Sequence, residues 1–247
     1  MRSPSTPRKA NGLPATRSCS TPTFPWRDAT CSADHWRQLR YSPSCFVLHA
    51  GSRATYPDDA HHTISFGAAW KGVFDEVLGG RLMSDPSFLV TSPSRTDPQL
   101  APVGRSSYYV LFPTPNLDGP LDWSVEGPRY RERVIDTLES RGWPGFRAGL
   151  EVAHATTPLD WAAAGMAAGT PFAAAHTFTQ TGPFRPRNLW GDNVVFAGSG
   201  TQPGVGVPMV LISGRLAAER ILGNGRTPHS SARVITRLRR PNSSERD

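Results

Sequence analysis

FAGSGTQPGVGVPMVLISGR, residues 196–215, places Gly198, Gly200, Gly204 and Gly206 with Pro203 and Pro208 between a run of β-formers and an apolar helix. The run before it is NVVFAG (193–198), which Gly198 ends. From Val207 onward, apolar and small residues fall at 207, 210, 211, 214, 217, 218 and 221, one face of a helix on which Gly214 permits close packing against a sheet. Pro208 suits the first helical turn, where its missing N–H costs nothing, and Gly223 suits the position just past the end. The stretch reads as strand, glycine-rich turn, helix. In that arrangement backbone N–H groups at the helix start face the turn beside the positive end of the helix dipole. A phosphate, or the polar edge of a flavin ring, fits such a place. GSGTQPGVG is neither a GxGxxG fingerprint nor a P-loop, so an ordinary tight βα connection stands beside that reading at this point. A lone βα unit also needs a sheet to join, and the sequence does not obviously supply one.

The 247 residues allow one large domain or two small ones. Hydrophobic residues make up 38%, and 23 glycines with 24 prolines indicate that part of the chain packs no core. Charge locates that part: residues 1–40 carry +5 and residues 225–247 carry +4, leaving 41–224 at −2 of the total +7. These basic residues lie among Ser, Pro, Thr and Asn without periodicity, so nucleic-acid binding is excluded as the role of the core. Cys19, Cys31 and Cys45 are odd in number and lack CxxC spacing, against a disulfide framework or zinc site and for a reducing cytoplasm. No apolar run is long enough to cross a bilayer. The Ser- and Arg-rich N-terminus has the composition of a transit peptide without its continuous amphipathic face.

Order begins near Arg40. CFVLHAG (45–51) and HHTISFG (61–67) read as strands, and KGVFDEVLGG (71–80) as a short helix closed at Gly79. SFLVTSPSRTDPQLAP (87–102) is a strand running into a proline-rich loop. SSYYVLFPTP (106–115) is a strong strand ended by Pro113, and GPRYRERVIDTLESRG (127–142) an amphipathic helix started by Pro128. TPLDWAAAGMAAG (157–169) reads as an alanine-rich helix capped by Thr157 or Asp160. The fold class is α/β: strands with long connections, then helices, form an α+β domain, and the final strand–turn–helix is half of a second unit.

Isolated candidates for chemistry do not assemble from sequence alone. His61 and His62 are adjacent, and on a strand they point to opposite faces and share no ion. His49, His154 and His176 show no ligand spacing, so no metal is expected. Ser199 and Ser213 lie in GSG and ISG, not in a G-x-S-x-G elbow. Arg95 and Asp97 can orient each other as a loop salt bridge of little energetic value.

Seven ordered stretches together carry a resemblance: RYSPSCFVLHAG (40–51), HHTISFG (61–67), DPSFLVTSPSRTDPQLAPVGRSSYYVLFPTPNL (85–117), DW (122–123), TPLDW (157–161), FRPRN (184–188) and NVVFAGSGTQPGVGVPMVLISGRLAAERI (193–221). In this order they resemble the C-terminal half of bacterial phytoene desaturases, the FAD-dependent carotenoid dehydrogenases. The resemblance covers roughly residues 40 to 223, with the glycine–proline signature its most specific part. It implies that the turn closes over FAD. Gly198, Ser199, Gly200 and Thr201 then lie beside the diphosphate and ribityl chain. Pro203, Gly204, Val205, Gly206 and Val207 approach the isoalloxazine. It further implies removal of hydrogens from an apolar polyene, with FAD as acceptor, in a tunnel for which Tyr108, Tyr109, Phe112, Trp123 and Trp161 are candidate lining residues. No catalytic acid or base is nominated.

Members of that family begin with a strand, GxGxxG and helix. Here KANGLPATRSCS (9–20) has one glycine and no apolar strand before it. The expectation is therefore a substrate domain joined to the last strand–turn–helix of a Rossmann-like FAD domain, with the N-terminal dinucleotide-binding half missing. Residues 1–39 are expected to be disordered or extraneous, 40–190 the substrate-binding domain, 191–224 the end of the FAD-binding domain, and 225–247 a basic disordered tail. The expected partners are an apolar polyene and a chain carrying the dinucleotide-binding half, in a cytoplasmic protein with peripheral membrane contact. A non-catalytic fragment that binds a polyene or such a partner chain is the alternative.

Overall fold

A computed structural model describes residues 18–20, 39–69, 71–190 and 194–222. The remainder of 1–38, Gly223 with its expected helix stop, and the basic stretch 225–247 lie outside the described residues. The strands are β1 (Ser18–Ser20), β2 (Ser44–Ser52), β3 (His62–Ser65), β4 (Phe88–Thr91), β5 (Ser106–Thr114), β6 (Leu150–Thr156), β7 (Leu189–Trp190) and β8 (Val194–Ala197). The α-helices are α1 (Gly72–Leu78), α2 (Trp123–Ser140), α3 (Phe146–Gly149), α4 (Pro158–Ala163) and α5 (Val207–Ile221).

Five strands form one antiparallel sheet in the order β3-β4-β5-β2-β6. Alternation along the strands gives this sheet two different faces. On one face Phe46, Leu48, Ala50, Phe88, Val90, Tyr108, Val110 and Phe112 meet Trp123, Tyr130, Val134, Ile135 and Leu138 of α2, and this is the main core. Aromatic rings knit it: Phe88 stacks on Phe112 with centroids 4.5 Å apart, and Tyr130 stands edge-on to Phe46 at 5.3 Å and to Phe112 at 6.2 Å. Burying each such side chain is worth about 1.5–3 kcal/mol, which fixes α2 against the sheet. Tyr108, Phe112 and Trp123, read above as candidate tunnel residues, all belong to this packed core.

Local chemistry sets the boundaries, and it differs from the sequence reading at several places. α2 starts five residues before Pro128, because Asp122 Oδ1 accepts the Ser124 N–H at 3.0 Å and caps the helix. Pro128 then lies inside the helix, where it cannot donate the i→i−4 bond. Gly127 lets α2 approach α4 closely: a Cβ there would stand 3.3 Å from Thr157 Cγ2. β5 runs through Pro113 to Thr114, since β4 pairs only with residues 109–111 and Pro113 borders β2 alone. α4 is short. Thr157 and Asp160 form a reciprocal capping box, but Gly165 at φ +86 ends the helical path that alanines were expected to extend to Gly169. β6, LEVAHAT, has no counterpart in the sequence reading.

A second, three-stranded sheet has the order β1-β8-β7. β1 runs parallel to β8, with Ser18 opposite Val195 and Ser20 opposite Ala197, and β7 is antiparallel to β8. The strand before the glycine turn thus has a neighbour on each side, one of them from within the segment 1–39. The segment leading into β2 is tied to the loop before β7 through Gln180, whose amide accepts from Arg40 N at 2.8 Å and donates to Arg40 O at 2.9 Å and Ala175 O at 3.0 Å.

Candidate cofactor site

The turn from β8 to α5 uses glycine where the backbone demands it. Gly198 has φ +124, Gly204 φ +153 and Gly206 φ +106, a region that glycine enters readily and other residues enter only with strain. A Cβ added at Gly204 or Gly206 would meet no described atom within 4 Å, so open space lies before both. Gly206 caps α5 without any side-chain hydrogen bond, and Pro208 occupies its first turn. The helix start therefore presents N–H groups with no side-chain cap among the described residues. Val207, at 73% exposed, stands at that same mouth.

The opposite side of the turn is held from residues 185–188. Arg185, 2% exposed, donates from Nε at 3.2 Å and from Nη2 at 2.5 Å to the Ser199 carbonyl. Asn188, fully buried, donates from Nδ2 to Phe196 O at 3.1 Å, Gln202 O at 3.0 Å and Ser213 Oγ at 3.0 Å. Ser213 Oγ in turn accepts the Gly198 N–H at 3.1 Å. Pro186 O takes the Thr201 hydroxyl at 2.8 Å and the Gln202 N–H at 2.9 Å. Arg185 has no carboxylate partner among the described residues, and burial pulls its guanidinium below its ordinary value.

This network also decides which face of α5 packs. The buried residues are Ser213 and Ala217, whereas Val207, Leu211 and Ile221 are exposed. Of the apolar stripe read from the sequence only Ala217 is buried, Val207, Leu211, Ala218 and Ile221 are exposed, and Gly214 has no described atom within 4 Å of a Cβ. Hydrogen bonds from Ser213 to the turn outrank the apolar period in setting the helix phase. FRPRN, noticed only as part of a resemblance, supplies the side chains that sequence reasoning missed. A buried Arg and Asn among prolines, shortly before a glycine turn, was the available signal.

The second face of the large sheet is the other feature of interest. Cross-strand register places Ile64, Leu89, Leu111 and Val47 in one apolar row across β3, β4, β5 and β2. The adjacent row is His62, Thr91, Tyr109, His49 and His154. His49 lies edge-on to Tyr109 at 5.3 Å and 6.4 Å from the His154 ring, and burial, then the His154 charge, lowers its pKa. Of the candidate lining residues, Tyr109 belongs to this face, and Trp161 donates its indole N–H to Cys45 O at 2.9 Å. His61 and His62 stand with rings 4.4 Å apart, because His61 precedes the strand and escapes the alternation assumed for the pair. Each ring Nδ1 engages a threonine hydroxyl, and no group of three metal-ligating side chains occurs among the described residues. Asp97 caps the Gln99 N–H at 3.1 Å, and no ion pair joins it to Arg95 among the described residues.

Residues 69–222 match the family of flavin-containing amine oxidoreductases. The chain is 58% identical over 201 residues to a phytoene dehydrogenase of Streptomyces griseus, covering 78% of this chain and 40% of the relative. It is 43% identical over 189 residues to a zeta-carotene-forming phytoene desaturase of Myxococcus xanthus, covering 75% and 37%. A lycopene-forming phytoene desaturase of a Paracoccus strain is 42% identical over 190 residues, covering 75% and 38%. The chain thus spans about two fifths of the length of these relatives. A solved oxidoreductase from Methanosarcina mazei superposes with a TM-score of 0.43 at 13% identity over 77% of this chain and 37% of its own. The cofactor implied is FAD. The residues present fit the group: glycines with open space before them and an uncapped helix start suit a flat, electron-rich ring and its phosphates. With its mixed α/β fold, its glycine turn and its matched residues, the chain belongs to the flavin-containing amine oxidoreductase family.

Proposed function

We propose that the chain is the C-terminal part of an FAD-dependent desaturase that forms double bonds in a carotenoid precursor such as phytoene. The observation that carries this reading is the pairing, in one chain, of the open glycine turn with a sheet face whose apolar row runs from buried Val47 through half-buried Leu111 and Leu89 to exposed Ile64. FAD bound there would supply the acceptor for the two hydrogens, formally a hydride and a proton, lost from adjacent carbons when a C=C forms. Gly198, Ser199, Gly200 and Thr201 line the phosphate and ribityl side of the turn, and Pro203 to Val207 the ring side. Exposed Ile64 with half-buried Leu89 and Leu111 give a methyl-branched polyene an apolar track, and the row from His62 to His154 marks its polar border. These residues orient the substrate and exclude water.

The exposed apolar residues of α5, with Val207 at 73% and Leu211 at 70% exposed, support contact with a dinucleotide-binding unit that completes the FAD site. No helix among the described residues is long and apolar enough to cross a membrane. Exposed Phe74 and Leu78, one turn apart on α1, support peripheral contact with the membrane in which a carotenoid precursor dissolves.

A chimera tests the function directly. In the relative that shares 58% identity, the matching segment is replaced by residues 40–222 of this chain and expressed in phytoene-accumulating bacteria. The expected result is conversion of phytoene to more desaturated, coloured polyenes. Flavin-loaded, soluble chimera with phytoene untouched overturns the substrate assignment.

A further inference from the structure

The glycine turn owes its conformational freedom to residues without side chains, and such a turn is presented in one shape only if something else fixes it. Two buried side chains do so. Arg185 grips the Ser199 carbonyl with two donors, and Asn188 spans the Phe196 carbonyl, the Gln202 carbonyl and Ser213 on α5. Two carbonyl oxygens of the β8–α5 connection, those of Ser199 and Gln202, and that of Phe196 in β8 are thereby committed inward. A carbonyl dipole aimed at an anion repels it, so these bonds keep the turn's partial negative charges away from the mouth. Arg185 contributes more than geometry. Arg185 is 2% exposed, and no carboxylate among the described residues neutralises its guanidinium. A buried cation in that state favours an anion close by.

Resting on the cofactor reading above, we propose that Arg185 and Asn188 are positioning residues for the FAD turn, with Ser213 as their anchor on α5. Asn188 fixes the spacing between strand end, turn and helix, and Arg185 fixes Ser199 and supplies a positive charge beneath the segment assigned to the diphosphate. Neither touches the reacting atoms. Their effect is exerted through the backbone of Gly198 to Gln202.

The test uses the chimera described above, in which the relative supplies the dinucleotide-binding unit, labelled with 15N and titrated with FAD, as parent and as Arg185→Met, Arg185→Lys and Asn188→Ala. The parent is expected to show saturable shifts of the Gly198, Gly200, Gly204 and Gly206 amides. Arg185→Met and Asn188→Ala are each expected to raise the FAD dissociation constant about tenfold or more, the loss of a buried hydrogen bond to a charged or fully enclosed group. Arg185→Lys restores charge without the two-donor grip and is expected to fall between parent and Arg185→Met. Amide positions of β2 and β5 report whether a variant keeps the sheet, and faster hydrogen exchange at Gly198 and Gln202 alone marks a loosened turn. Equal FAD affinity in parent and both loss variants, with the sheet intact, overturns this inference while leaving the cofactor reading in place. No saturable shift in the parent overturns the cofactor reading, and this inference with it.

Discussion

Gly206 joins the turn to α5 at φ +106, with no described atom within 4 Å of where a Cβ would stand. Inside the protein alone, Gly206→Val has only a backbone cost, about 1–2 kcal/mol for holding an L-residue in that region. With FAD present the isopropyl group fills the space assigned to the ring. The expected outcome is a modest fall in the urea midpoint together with at least about a tenfold loss of FAD affinity, measured by flavin fluorescence. Equal FAD affinity in the variant would remove the ring from this position. A second residue-scale expectation concerns His49. Burial, and then His154, hold its pKa below the ordinary histidine value, so the unfolded chain binds the proton more tightly. Stability should therefore decrease as pH falls from about 7.5 through about 6.5 and level off below the depressed native value. Urea midpoints across that range, compared with those of His49→Gln, should show a shallower slope in the variant; an equal slope assigns the dependence elsewhere.

At the scale of elements, capping and hydrogen bonding set limits that periodicity does not reveal. β2, β3, β4 and β5 were legible because β-branched and aromatic residues alternate within them, and α1 because Gly79 closes it. The start of α2 was misplaced: Pro128 is a conspicuous helix-start signal, but the Asp122 cap lies upstream and satisfies the first N–H groups. β6 escaped because Glu151 and His154 interrupt its apolar residues, and its place is fixed by pairing with β2 that no local signal reports. The turn at 198–206 was legible as a turn from its glycines, whereas the contributions of Arg185 and Asn188 depend on contacts across 14 and 25 residues that spacing cannot disclose. Thr157, by contrast, was legible as a cap, and the capping box gives it a defined value. Thr157→Ala is expected to lower unfolding free energy by about 1 kcal/mol, read from urea titration. A change below a few tenths would mean that Gly127 packing, not the cap, holds α4 in place.

Across the whole molecule, the two sheets divide the work. The large antiparallel sheet buries one face against α2 and leaves the other with an apolar row beside a row of histidines and a tyrosine. The small sheet, with β8 between β1 and β7, delivers the chain into the glycine turn. If α1 is the membrane-facing element, replacing Phe74 and Leu78 by Ser should reduce co-flotation of the chain with anionic vesicles without changing its unfolding midpoint. Unaltered flotation would move that contact elsewhere. The central claim, that the β8–α5 turn holds the flavin, is tested most directly by hydrogen–deuterium exchange of the chimera with and without saturating FAD. Slowed exchange is predicted in peptides covering Gly198 to Val210, with the β2–β5 core unchanged. Protection confined to the large sheet, or absent from the turn, would contradict the account.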